Sequence, residues 1–186
     1  MTNLVLVRHG KTDWNKMDRI QGELDIPLSI EGRRQAQEMA ISLSKIKIDA
    51  IYSSALSRSY ETAEYIAQYH DLKVKKLKSL NELNQGVWQG LRIDEIKKRY
   101  KKQFASWRTA PLSVKPPKGE GMKDAYDRIV NAVDKIVERH KAETICVVSH
   151  ELVSTMIRCH YQGLDINHIW DFVPDNATWE MIEVTD

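Results

Sequence analysis

The sequence predicts an α/β fold, a three-layer αβα sandwich around a mostly parallel central sheet. Two observations carry that expectation. The short apolar runs Leu4-Val5-Leu6-Val7 and Ile145-Cys146-Val147-Val148 read as strands buried on both faces. Further strand signals alternate with helical patterns along the chain, as in a parallel sheet covered on both sides. With 186 residues, a single domain over 1–186 is expected, able to bury roughly two thirds or more of its unfolded surface.

The elements follow in order. Leu4–Val7 is the first strand. Ser29 is placed to cap a helix whose apolar stripe includes Ala36, Met39, Ala40 and Leu43. Ala50–Tyr52 is the second strand, followed by a helix from about Ser57 that uses Tyr60, Ala63 and Ala67. Val74–Leu77 is the third. One helix is predicted from about Ile93 through Ile96, Tyr100 and Phe104. Pro111 to Gly121, rich in Pro, Lys and Gly, reads as a surface loop that could border a site. Ala125, Ile129, Val133, Ile136 and Val137 mark the next helix. After Ile145–Val148, Leu152, Met156 and Cys159 mark another, and Trp179–Val184 is the last strand.

Composition narrows the function. The chain is 42% hydrophobic and 29% charged with a net charge of +2, which fits a folded globular protein. A charge balance this mild gives no reason to expect nucleic acid as a partner. No run approaches the ~18 apolar residues of a membrane span. Met1-Thr2-Asn3 does not read as a signal peptide, and Cys146 and Cys159 show no metal-type spacing. The expectation is a cytoplasmic protein.

Arg8-His9-Gly10 is the most informative segment. It leaves the carboxyl end of the first strand, where open α/β sheets place ligands. Arginine offers a planar fork for phosphate oxygens, histidine a nucleophile or base, and glycine a close backbone approach to an anion. His150 leaves the run Ile145–Val148 in the same way, so two parallel central strands would bring both imidazoles to one edge. Arg58 stands where a strand turns into a helix, either part of an anion site or a solvated arginine. Glu82 follows a third strand signal, as a general acid and base or as a surface carboxylate.

Five ordered blocks give the chain a resemblance to the histidine phosphatase superfamily, the phosphoglycerate mutase-like family. They are Arg8-His9-Gly10-x-Thr12-x-Trp14-Asn15, with Arg19-Ile20-Gln21-Gly22 and Asp25-x-Pro27-Leu28-Ser29-x-x-Gly32; then Ser53-Ser54-x-Leu56-x-Arg58-x-x-x-Thr62-Ala63; Leu80-x-Glu82-x-x-x-Gly86-x-Trp88-x-Gly90; Val147-Val148-Ser149-His150; and Asn176-Ala177-Thr178. The resemblance implies that His9 becomes a phosphohistidine and that Arg8, Arg58 and His150 surround the transferred group. It implies that Glu82 is the proton donor and that Asn15, Gln21 and Gly22 lie around phosphate and substrate. No metal and no cofactor are implied, since two arginines and a protonatable histidine supply the field that phosphoryl transfer needs.

Three positions depart from the family pattern: Lys11, Glu151 and Gly121. Glu151 adds a carboxylate where the backbone approaches phosphate; either Lys11 and Glu151 form a compensating pair at the rim, or both are solvated side chains pointing away. Glu82 and Glu120 are only 38 positions apart, leaving little chain for the lid a mutase needs, so hydrolysis is expected over mutase chemistry. A non-catalytic phosphate-binding protein of the same fold is the alternative from a different class. Tyr100, Phe104 and Trp107 read as core in preference to a substrate platform, with the nearby lysines and arginines as a solvated or substrate-gathering face. The expected partner is a small phosphorylated metabolite: a sugar phosphate, a phosphoglycerate, phosphoserine or a cobalamin nucleotide-loop phosphate. A homodimer is left open by Trp170, Phe172 and Trp179, which could be core or dimer surface.

Overall fold

The computed structural model describes residues 1–184. Five strands form one sheet, β1 (Thr2–Arg8), β2 (Ala50–Ser54), β3 (Val74–Leu77), β4 (Thr144–Ser149) and β5 (Trp179–Val184), in the spatial order β3-β2-β4-β1-β5. β1 to β4 are parallel, and β5 adds antiparallel to β1 at the edge. The two continuous apolar runs are therefore the central neighbours β4 and β1, which explains why they do not alternate with polar residues.

Residues on one strand alternate between the two covered faces. Val5, Val7, Cys146 and Val148 pack with α2 (Ile30–Leu43) and α3 (Ser57–Ala67) through Met39, Ala40, Leu43, Ala63 and Ile66. Leu4, Leu6, Ile145 and Val147 face α6 (Met122–Arg139) and α7 (Glu151–Gln162) through Ile129, Val133 and Met156. Ser29 caps α2, its hydroxyl accepting from the Gly32 N–H at 3.0 Å. A short α1 (Asp13–Lys16) follows the first strand.

The helix expected from Ile93 through Phe104 is two, α4 (Ile93–Arg99) and α5 (Lys101–Thr109). Tyr100, at φ −124° and ψ 38°, turns the chain between them. No glycine or proline marks this bend. Tertiary packing sets it: Trp88, 1% exposed, gathers Tyr100, Phe104 and Trp107 with ring centroids 5.7–6.4 Å away.

Candidate active site

Arg8 and Ser149 stand opposite each other in the β1–β4 register. The next residue of each chain, His9 and His150, therefore emerges at one sheet edge, with ring centroids 5.2 Å apart. A cleft of about 190 Å³ opens there. Arg8, His9, Asn15, Gln21, Gly22, Arg58, Glu82, His150 and Glu151 all line it, so every site residue expected from sequence converges on one place.

His9 is held firmly. Its N–H donates to the Ser149 carbonyl, and its own carbonyl accepts from the Ala177 N–H at 3.1 Å and from Asn176 Nδ2 at 3.2 Å. The ring Nδ1 lies 2.7 Å from the Gly10 carbonyl. A carbonyl only accepts, so Nδ1 carries the proton and Nε2 the lone pair. Burial, then the charges of Arg58 and Arg8, holds this imidazole well below its usual range. At neutral pH the ring is uncharged, with its Nε2 lone pair free. Gly10 serves packing more than anion approach, because a Cβ there would stand 2.3 Å from the Gly32 carbonyl oxygen.

His150 is wired the other way. Its Nε2 lies 2.8 Å from Ser54 Oγ and 3.3 Å from Ser59 Oγ. Both hydroxyls donate elsewhere, Ser54 to Asn81 Oδ1 and Ser59 to the Ser149 carbonyl. They can only accept from His150, so Nε2 bears its proton and Nδ1 is left over, buried and without a partner. Burial, then Arg58, His9, Arg8 and Arg128, lowers the basicity of this ring. A bound dianion would reverse that balance and let Nδ1 take a proton and donate it to a phosphoryl oxygen.

The arginines complete the pocket. Arg58 lies in the first turn of α3, whose Ser57 N–H is taken up by Asp25 at 2.7 Å. It is 1% exposed, and its two terminal nitrogens donate to the Leu24 and Gly22 carbonyls at 2.8 Å. Burial pulls it down to about 10, which leaves it charged at neutral pH. Arg8 donates to the Pro174 carbonyl and pairs with Glu151. The Nε atoms of Arg8 and Arg58 are both buried without partners, like His150 Nδ1. Three unpaired nitrogens on two cations and an imidazole ask for an oxyanion.

Glu82 accepts from the Leu83 N–H at 3.0 Å and from the Leu152 N–H at 3.4 Å. Burial raises its carboxyl to about 6 against those hydrogen bonds, with the nearby Glu151 charge adding to the rise and Arg58 opposing it. That is a value suited to both giving and taking a proton near neutrality. Asn15 spends its carboxamide oxygen on Thr12, at 2.9 Å from the backbone N–H, and Gln21 Oε1 is buried without a partner. Gly22 lines the cleft, but its carbonyl belongs to Arg58.

Several expectations need correction. Lys11 and Glu151 do not pair: Lys11 Nζ lies 3.2 Å from Glu31 Oε1, and Glu151 Oε2 lies 2.6 Å from Arg8 Nη2. Glu31 draws Lys11 outward along α2, while Arg8 is the cation within reach of the first residue of α7. The loop from Pro111 to Gly121 does not line the cleft. It supports the Glu82 loop from behind, through Pro117 to the Val87 N–H and Asn84 to the Glu120 N–H. Phe104 and Trp107 touch the core and also line the cleft, together with Arg108 and Trp170. The sequence favoured core over a substrate platform for them, and they serve as both, since a helical apolar stripe looks the same in either case. Ser59 was missed as a His150 partner, and only its position in the Ser53–Ala63 block could have signalled it.

Comparison with known proteins agrees with this geometry. A family model for the histidine phosphatase superfamily (branch 1) matches residues 4–186. Phosphoserine phosphatase 1 of Hydrogenobacter thermophilus is 36% identical over 186 residues, covering 100% of this chain and 88% of its own. Among solved structures, YhfR of Bacillus stearothermophilus superposes with a TM-score of 0.91 at 32% identity, over 100% of this chain and 92% of that one. A mycobacterial glucosyl-3-phosphoglycerate phosphatase, solved with VO3, gives 0.90 at 29% identity, over 97% and 90%. The chain belongs to the histidine phosphatase superfamily, branch 1, and is a phosphoric monoester hydrolase acting on a small phosphorylated metabolite.

Proposed function

We propose that hydrolysis runs in two displacements through His9. Nε2 attacks the phosphorus of a phosphomonoester; the P–N bond forms as the bond to the leaving oxygen breaks, and Glu82 protonates that oxygen. Glu82 then takes a proton from water, whose oxygen displaces His9 and yields inorganic phosphate. Arg8, Arg58 and protonated His150 hold the equatorial oxygens, with Asn15 and Gln21 beside them. Three buried, partnerless nitrogens around a neutral imidazole carry this reading.

The relatives named above make phosphoserine and glucosyl-3-phosphoglycerate the first substrates to try. We further propose that the chain works as one cytoplasmic domain and needs no metal, with mutase activity weak or absent. Buried free thiols at Cys146 and Cys159 suit a reducing compartment. No helix among the described residues is long and apolar enough to cross a membrane. Trp179 and Met181, exposed on the edge strand β5, favour a second copy as partner; a monomer mass by light scattering would reject that.

The decisive experiment assays p-nitrophenyl phosphate and a panel of phosphorylated metabolites with wild type and His9→Ala in parallel, with and without EDTA. Wild-type turnover, an acid-labile phosphoenzyme and indifference to EDTA are expected. Vanadate binding without any turnover would instead identify a non-catalytic phosphate-binding protein.

A further inference from the structure

Glu151 is the first residue of α7, directly after His150. Its carboxylate reaches Arg8, with Oε2 at 2.6 Å from Nη2, and the two side chains are 33% and 11% exposed. Both residues line the same cleft as His9, Arg58 and His150, so this pair is part of the anion pocket and no ordinary surface salt bridge. Arg8 Nη1 is committed to the Pro174 carbonyl. What remains is the side-on edge formed by Nε and Nη2, the edge that can grip two oxygens of one anion. Nε has no partner, and Glu151 occupies the Nη2 prong.

We propose that Glu151 is a built-in competitor for phosphate at Arg8. In the free protein its carboxylate holds the Nη2 prong. An arriving phosphoryl dianion takes over the whole edge, and Glu151 then faces it as a like charge. As inorganic phosphate leaves, Glu151 recovers Arg8. The device weakens the grip on product, which favours turnover over retention. It rests on the reading of this cleft as a phosphate site. Helix geometry alone does not account for it, because a carboxylate at the start of α7 would help the helix dipole equally well pointing to solvent.

The test is the affinity for inorganic phosphate, measured by calorimetry on wild type, Glu151→Gln and Glu151→Asp. Removing the competing charge in Glu151→Gln should lower Kd about tenfold, with a matching fall in the product-inhibition constant. Glu151→Asp keeps the charge but withdraws it by one methylene, so it should tighten phosphate less than Gln does. If Glu151→Gln does not fold, tightening in Glu151→Asp supports the proposal and its absence overturns it. Unchanged or weaker phosphate binding in Glu151→Gln overturns it as well. Binding needs no turnover, so the two readings can fail separately. A wild type that binds phosphate yet hydrolyses no ester would sink the hydrolytic mechanism alone, and active enzymes with equal Kd would sink this proposal alone.

Discussion

His9 and His150 leave adjacent parallel strands at the same level, each one position beyond a paired residue, yet their hydrogen bonds run in opposite senses. At the end of β1 the ring donates through Nδ1 to the carbonyl of the very next residue. At the end of β4 it donates through Nε2 to serines from β2 and α3. The sheet supplies equal positions; the partner on the far side of each ring decides which nitrogen faces the cleft and in which state. One imidazole is left with a lone pair on Nε2, the other with a vacant Nδ1 that can gain a proton when an anion binds. In the proposed mechanism, two identical side chains thus divide attack and charge stabilisation between them.

Removing each ring tests that division and should give the largest effects. His9→Ala deletes the proposed nucleophile, so turnover should fall by on the order of 10⁴-fold or more, with no phosphoenzyme after acid quench. His150→Ala deletes one donor to the phosphoryl oxygens. A loss of about 10²–10³-fold is expected, with phosphoenzyme still trapped. Equal losses and a missing phosphoenzyme in both variants would erase the distinction.

Glu82 comes next. Its carboxyl, raised to about 6 mainly by burial, is protonated below that pH and able to donate. First-step activity should therefore decline as pH rises through about 6. His9, whose basicity is lowered by burial and by the charges of Arg58 and Arg8, gives up its proton at a lower pH than an ordinary imidazole. Glu82→Gln should cost about 10²–10³-fold with an alcohol leaving group and remove the decline. The loss should be much smaller with p-nitrophenyl phosphate, whose leaving group needs no proton. A stability effect runs in the same pH window. Because the folded carboxyl is raised, the folded state holds the extra proton and loses stability as pH rises from about 4.5 to about 6. Glu82→Gln should lessen that fall in Tm.

The strand ends were legible in sequence because their signals are local. Unbroken apolar runs give buried parallel strands, and the residue that leaves such a strand emerges at a known edge, as His9 and His150 do. Arg58 and Glu82 stood at similar junctions and joined the same cleft. The outer wall was harder to read. Phe104 and Trp107 obey the same helical spacing whether they face core or ligand, and the bend at Tyr100 depends on Trp88, which is remote in sequence. Glu151 stood out as unusual, but its pairing with Arg8 was not legible, because sequence does not say which of several cations a carboxylate can reach. The hydrogen-bond direction at His150 was invisible too, since it depends on where Ser54 and Ser59 send their own protons.

That hydrogen-bond direction can be sharpened by a smaller change. Ser54→Ala removes the closer acceptor at His150 Nε2 and leaves only Ser59 at 3.3 Å. Hydrogen bonds to a charged group contribute about 1.5–3 kcal/mol, so vanadate affinity should weaken by roughly 10- to 100-fold. A residue with a merely structural role would lower Tm and leave vanadate affinity alone. Loss of Tm without loss of affinity would show that Ser54 does not help His150 hold its proton.

The smallest effect is expected at Lys11, and it tests whether the β1 end is influenced by charges outside the cleft. Lys11 Nζ and Lys16 Nζ both reach Glu31, at 3.2 Å and 2.9 Å, and all three side chains are more than a third exposed or close to it. Exposed ion pairs of this kind contribute about 0–1 kcal/mol and are screened by salt. Lys11→Glu should therefore change kcat/KM less than about threefold, through a small loss of positive potential at the rim. Combined with Glu151→Gly, the two changes should add to within about 0.5 kcal/mol, because Glu151 spends its charge on Arg8 and Lys11 spends its own on Glu31. A coupling well above that value would mean the two departures from the family pattern act together after all, through a path other than direct contact.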